Sequence, residues 1–215
     1  MPPRTLLSGL RSVLVCGVLT SWALLTGAAP TLAQQAPALP DAVPVQLDTA
    51  TTAVLVQDIT DQICTSANCK PLVQAIAAMT QRARDAGVYV IYSTPPGGTL
   101  LADVAPAPGE IVILSQGSQD RFYNTNLDYV LRSRGIKTVV LAGWRINGSI
   151  LYTAFGATNR GYTVVVPLDG TSANTDFDIT IGRYQIQNQS NANPTNEALR
   201  QAAVTLSRTD EITFQ

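Results

Sequence analysis

The sequence predicts an α/β domain, a mostly parallel sheet with helices on both faces. Three observations carry this expectation. Short apolar runs at Thr52–Gln57, 88–92, Ile111–Leu114 and 139–142 alternate with segments whose apolar residues recur at helical spacing, the order of βα units. The runs are nearly continuous, as in parallel strands covered on both faces. Residues 137–167 read as a strand, a tight turn, a helix and another strand. In open α/β sheets ligands bind beyond the carboxyl ends of strands. That places Ser149, near a helix N-terminus, where a nucleophile or an anion could sit.

Taken in order, Thr52–Gln57 is the first strand and runs directly into Asp58. An Asp there serves either as a turn former or cap, or as an acid or base in the sheet crevice. Lys70-Pro71 opens a helix, with Pro71 suited to the first turn. Its stripe is Leu72, Val73, Ile76, Met79 and Ala83, and Gly87 stops it. After the strand at 88–92, a Pro/Gly-rich loop fills residues 94–109, a length typical of functional lids or poorly ordered segments. Ile111–Leu114 is the next strand. Asn124 or Thr125 caps a helix whose face is Leu127, Val130 and Leu131, ending at Gly135. The following helix presents Ile150, Leu151, Ala154 and Phe155 as one face. Residues 169–175 form a polar turn region. Phe177, Ile181 and Tyr184 recur at helical spacing. Residues 185–194 read as a polar loop, 203–206 as a short strand, and 207–214 as a tail with a turn.

Composition narrows the function classes. The chain has 215 residues, room for one sizeable domain plus a leader, and a net charge of −1 that makes no electrostatic case for nucleic acid. It has no histidine, so His-based triads and imidazole metal sites are excluded. Arg4 and Arg11 precede an apolar run over 13–25, followed by small residues up to Ala33. This is the order of a secretory signal, residues 1–33, cut after Ala33; the alternative is an uncleaved membrane anchor. Residues 34–49, rich in Pro and Ala, then read as a linker before a domain at 50–215. The expected location is secreted or periplasmic, with membrane association only if the leader is retained. Export makes a disulfide the expected state of Cys64 and Cys69. With both in one turn and no further ligands, a metal site there is not expected.

Asp58, the loop after Leu114 and Ser149 thus converge on strand ends. Together with the segments Thr52–Gln57 plus Asp58, Phe122 to Asp128, and 139–170 including Asn147, Thr153, Ala157, Gly161 and Asp169, they resemble the isochorismatase-like superfamily of cysteine hydrolases, which includes nicotinamidases and N-carbamoyl amide hydrolases. The resemblance spans essentially the whole domain. It implies a three-layer α/β/α, Rossmann-like fold with a mostly parallel sheet, a small-molecule substrate or ligand, no cofactor, and a fold that commonly forms homo-oligomers through exposed helices.

Active members of that family use an Asp base, a Lys and a Cys nucleophile. Asp58 matches the Asp. Counting back from Phe122 puts the Lys position at Gln116, and counting on from Gly143 puts the Cys position at Ser149. A thiol is partly ionised near neutral pH, whereas a serine hydroxyl needs a strong base beside it. Both replacements therefore act against the family's covalent thioester route. Isochorismatases proper protonate a vinyl ether through the family Asp and need no Cys, so Asp58 could act as an acid. The expected catalytic set is Asp58, Gln116 and Ser149. Phe122, Trp144, Arg145 and Asn147 are candidate substrate contacts, with Arg121 either orienting a ligand or paired with Asp120, and Phe122 more readily read as core. Three functions remain open on this reading: a hydrolase-like enzyme of altered chemistry, a small-ligand-binding protein that has lost turnover, and a structural oligomer.

Overall fold

The computed structural model describes residues 38–189 and 191–215. The proposed signal segment, with Arg4 and Arg11, lies outside these residues, as does the start of the proposed linker.

The elements follow the expected alternation. The strands are β1 (Val45–Leu47), β2 (Thr52–Gln57), β3 (Tyr89–Thr94), β4 (Ile111–Leu114), β5 (Thr138–Trp144), β6 (Thr163–Pro167), β7 (Thr171–Ser172), β8 (Val204–Ser207) and β9 (Ile212–Phe214). The helices are α1 (Lys70–Asp85), α2 (Leu127–Arg132), α3 (Ser149–Asn159) and α4 (Asp176–Gln187). The main sheet has the order β4-β3-β2-β5-β6-β8, with β7 added beside β5, and all its pairings are parallel. Alternate residues of the central strands enter opposite cores. Leu55, Val139 and Leu141 meet Leu127, Leu131, Ile150 and Ala154 of α2 and α3 on one face. Val54, Val56, Val140 and Ala142 meet Leu72, Ile76 and Met79 of α1 on the other. This is the three-layer α/β/α fold, and it explains the continuous apolar runs: both sides of each strand are buried.

The chain winds outward from β2 through β3 to β4, then returns to the other side of β2 with β5. The strand order therefore reverses between β2 and β5, the crevice where parallel sheets open to ligands. Gly143 makes this close approach feasible. It lies opposite Gln57 in the register, has φ +127°, and a Cβ there would fall 2.0 Å from the Gln57 carbonyl oxygen.

Three details depart from the sequence reading. Within the stretch read as linker, β1 pairs in parallel with the C-terminal β9, Val45 opposite Ile212 and Leu47 opposite Phe214, so the end of the chain is a strand rather than a loose tail. Val45, Leu47 and Ile212 are buried, which supplies the apolar reason for the pairing. Phe155 turns outward, and Ala157 takes its place in the core beside Ile150, Leu151 and Ala154. Helix α4 forms at its predicted spacing, yet Phe177 and Tyr184 are exposed. The helix docks instead through Gly182, where a Cβ would lie 2.9 Å from the Asn147 amide nitrogen. Close backbone packing at Gly182, together with burial of Ile186 and packing of Ile179 against the core, sets which face turns inward.

The long loop after β3 is fastened to the segment after β2. The amide of Asp61 donates to Thr99 O and that of Leu101 to Ile59 O, at 3.0 Å each, and Val104 is buried. Cys64 and Cys69 stand 5.3 Å apart at Cα, within disulfide reach. Among the described residues no helix is long and apolar enough to cross a membrane.

Candidate active site

At the crevice a cavity of about 460 Å³ is lined by Asp58, Ser115, Gln119, Arg121, Trp144, Arg145, Ser149 and Asn174 among others. Its floor comes from the ends of β2 and β5 and the start of α3. A wider depression of about 600 Å³ lies at the opposite ends of the strands. There Arg84 is already paired with Glu110 at 2.8 Å, so the crevice is the better candidate.

Asp58 leaves β2 with φ +58°, a left-handed conformation that Asp tolerates better than most residues. Its amide donates to Ser93 O at 2.9 Å. The side chain is buried and forms an ion pair with Arg121, Nη2 donating to Oδ2. Its other oxygen, Oδ1, is buried with no protein donor. Burial pushes the Asp58 carboxyl up from its ordinary 3.8, while the Arg121 charge and hydrogen bond, and the neighbouring Ser149 hydroxyl, pull it down; burial prevails. The Ser149 hydroxyl donates to Trp144 O at 2.5 Å. That proton is therefore directed at the backbone rather than at Oδ1, although Ser149 stands beside the carboxylate.

Arg121 is readable from the sequence as orienting a ligand or pairing with Asp120, and the tertiary structure pairs it with Asp58 instead. Its amide donates to Thr153 Oγ1 of α3 at 3.1 Å, and its carbonyl accepts from Thr125 Oγ1 at 2.6 Å. So anchored, its guanidinium turns inward to Asp58, with Nε donating to Ser93 Oγ at 3.2 Å and Nη1 to Ser118 O. Asp120, the alternative partner, instead accepts the Phe122 amide at 2.9 Å.

Gln116 stands outside this arrangement. It is exposed, and its amide donates back to Leu114 O at 3.3 Å. Of the expected set, the structure brings Asp58 and Ser149 together at the cavity, leaves Gln116 outside it, and places Arg121 beside Asp58 instead. The physical reason is that a guanidinium reaching in from further along the loop occupies the place beside the carboxylate. Of the candidate substrate contacts, Trp144 and Arg145 line the cavity. Phe122 does not: it lies in the core, stacked on Tyr162 with ring centroids 5.9 Å apart. Nor does Asn147, whose amide donates to Asp178 Oδ1 at 2.8 Å and helps dock α4. Among the described residues no three His, Cys, Asp or Glu side chains gather to hold a metal ion.

The family model of the isochorismatase domain matches residues 52–198. This chain belongs to the isochorismatase family. Among solved structures it resembles an isochorismatase family protein from Desulfovibrio vulgaris, with a TM-score of 0.65 and 20% identity over 75% of this chain and 95% of that one. Among curated relatives it is 39% identical to the ureidoacrylate amidohydrolase RutB of Methylorubrum extorquens over 72 residues, 34% of this chain and 29% of the relative. It is also 29% identical to the secreted isochorismatase effector Isc1 of Verticillium dahliae over 110 residues, 46% of this chain and 57% of that protein. The matched segments thus span less than a third of the amidohydrolase and little more than half of the effector.

Proposed function

We propose that this isochorismatase-family protein is exported and hydrolyses a small molecule by acid–base chemistry centred on Asp58, without the covalent thioester of cysteine-dependent members. The observation that carries this reading is the asymmetry of the Asp58 carboxyl. Arg121 holds Oδ2, while Oδ1 is buried in the cavity floor without a protein donor. One oxygen is fixed and the other is free to exchange a proton with a bound molecule. The upward displacement of the carboxyl brings it nearer the range where an acid or base works best.

For an amide, ionised Asp58 takes a proton from water as the new C–O bond forms, and returns one to the leaving nitrogen as the C–N bond breaks. For a vinyl ether, protonated Asp58 delivers its proton to the alkene carbon. Water then adds to the resulting oxocarbenium ion and its proton restores the acid. The hemiketal so formed collapses to a carbonyl as its ether C–O bond breaks and the alcohol leaves with the hydroxyl proton. Neither route asks Ser149 to become an anion. Ser149 and Trp144 instead shape the wall next to the reacting group.

Export is supported by the leader-like pattern over residues 1–33, and the Verticillium relative is named as secreted. Outside the cell Cys64 and Cys69 would be oxidised to a disulfide. Replacing the family's thiol by Ser149 would also remove an oxidisable nucleophile.

A second reading, a ligand-binding protein without turnover, is favoured by the Ser149 proton pointing at Trp144 O. Incubation with small amides, ureides and vinyl ethers, comparing wild type with Asp58→Asn, separates the two. We expect turnover that falls by about 10²- to 10⁴-fold in the variant. Turnover unaffected by Asp58→Asn would refute the acid–base role, and thermal stabilisation by panel members without any turnover would establish the binding reading.

A further inference from the structure

We infer that the crevice selects substrates bearing a carboxylate, and that Arg145 is the residue that holds it. This deepens the hydrolase reading and rests on the same cavity. The charged side chains lining that cavity are Asp58, Arg121 and Arg145. Two of them neutralise one another: Arg121 spends its guanidinium on Asp58, Ser93 and Ser118. Arg145 is different. Among the described residues its side chain has no ion-pair or hydrogen-bond partner, and it is half-buried.

Its position is nonetheless defined. Its carbonyl accepts from the Gly148 amide at 3.0 Å and from the Ile150 amide at 3.1 Å, which ties the residue to the turn that opens α3. Trp144 before it is buried in the core beneath the sheet. The guanidinium therefore stands on a rigid base, on the same wall as Ser149, in a cavity whose fixed charges sum to one positive. The amino end of α3 adds its partial positive charge on that side.

A planar carboxylate is the group an arginine fork binds in bidentate fashion. A neutral ligand would leave that partly desolvated cation uncompensated. A dianion would place a second negative charge toward Asp58. The fitting ligand is a small monocarboxylate with its carboxylate on Arg145 and its scissile group against Asp58 Oδ1. Arg145 is a specificity residue in this arrangement and takes no part in proton transfer.

Succinamate and its uncharged analogue succinamide are nearly isosteric and differ in this charge. Binding of each is measured by calorimetry, and ammonia release is followed in parallel, for wild type, Arg145→Gln and Arg145→Lys. We expect wild type to prefer the anion by about tenfold or more, the scale of a charge-assisted hydrogen bond. Arg145→Gln should bring the two to near parity, Arg145→Lys should keep part of the preference, and added salt should weaken it. Equal binding of the pair by wild type, binding of neither, or an unchanged preference in Arg145→Gln overturns the inference. An Arg145-dependent preference without ammonia release upholds it while removing support from the catalytic reading. Release of ammonia from both compounds alike does the reverse.

Discussion

Replacing Arg121 with Gln tests whether the buried ion pair is what makes an ionised Asp58 tolerable. Both side chains are about 6% exposed, so solvent screens the pair little. Removing one partner of such a pair costs about 3–5 kcal/mol, because the other charge stays buried without compensation. For a domain of this size that corresponds to a fall in Tm of roughly 6–20 °C. The loss has a definite pH dependence. In the unfolded chain Asp58 titrates near its ordinary 3.8, and in the fold burial raises it. A raised carboxyl means that the folded state disfavours the ionised form. The cost is therefore present above the folded pKa and disappears as the group protonates.

Without Arg121 the lowering influence is gone and the carboxyl moves further up. The extra destabilisation should be greatest where Asp58 is ionised and should shrink as the pH is lowered through the carboxyl's raised range. What survives at low pH is the loss of the bonds to Ser93 Oγ and Ser118 O, about 1 kcal/mol each. Urea unfolding at several pH values, for wild type, Arg121→Gln and the Arg121→Gln/Asp58→Asn double variant, reads this directly. The double variant should recover much of the stability at neutral pH, since a neutral amide needs no cation. A loss that is the same at every pH, with no recovery on adding Asp58→Asn, would refute the reasoning.

Other consequences are simpler to check. Gly143→Ala puts a Cβ 2.0 Å from the Gln57 carbonyl oxygen at φ +127°; with backbone on both sides of the clash, the variant should lose several kcal/mol or fail to fold, as read by circular dichroism and yield of soluble protein. Replacing both Cys64 and Cys69 by Ser should cost about 2 kcal/mol if the pair is oxidised, the chain-entropy value for so small a ring. Ellman titration of the unfolded wild type would find no free thiol from this pair in that case.

The sheet and its helices were largely readable from the chain. Val54, Val140 and Val165 sit among apolar neighbours in the sequence because they are buried from both sides, and that leaves a signal in consecutive residues. The stripe of α1 is likewise local: Leu72, Val73, Ile76, Met79 and Ala83 are all buried as their spacing requires. Asp58 and Ser149 were legible because strand ends and helix starts are local features, and the α/β topology places such ends on one edge. The pairing of β1 with β9 was not, since two three-residue strands at opposite ends of the domain carry no periodicity.

The sequence by itself determined the family, the α/β architecture and four of the residues at the crevice, Asp58, Trp144, Arg145 and Ser149. The architecture depends on patterns that repeat within a few turns or strands, and the family on a resemblance carried by short contiguous motifs. Only the tertiary structure decided which cation stands beside Asp58. Gln116 and Arg121 occupy one loop, and nothing in their spacing tells which turns inward. Thr153 of α3 decides it by accepting the Arg121 amide, and Ser93 of β3 then receives the guanidinium. A long side chain can reach a buried carboxylate from several positions in a loop, so its partner is set by where distant elements pin the backbone.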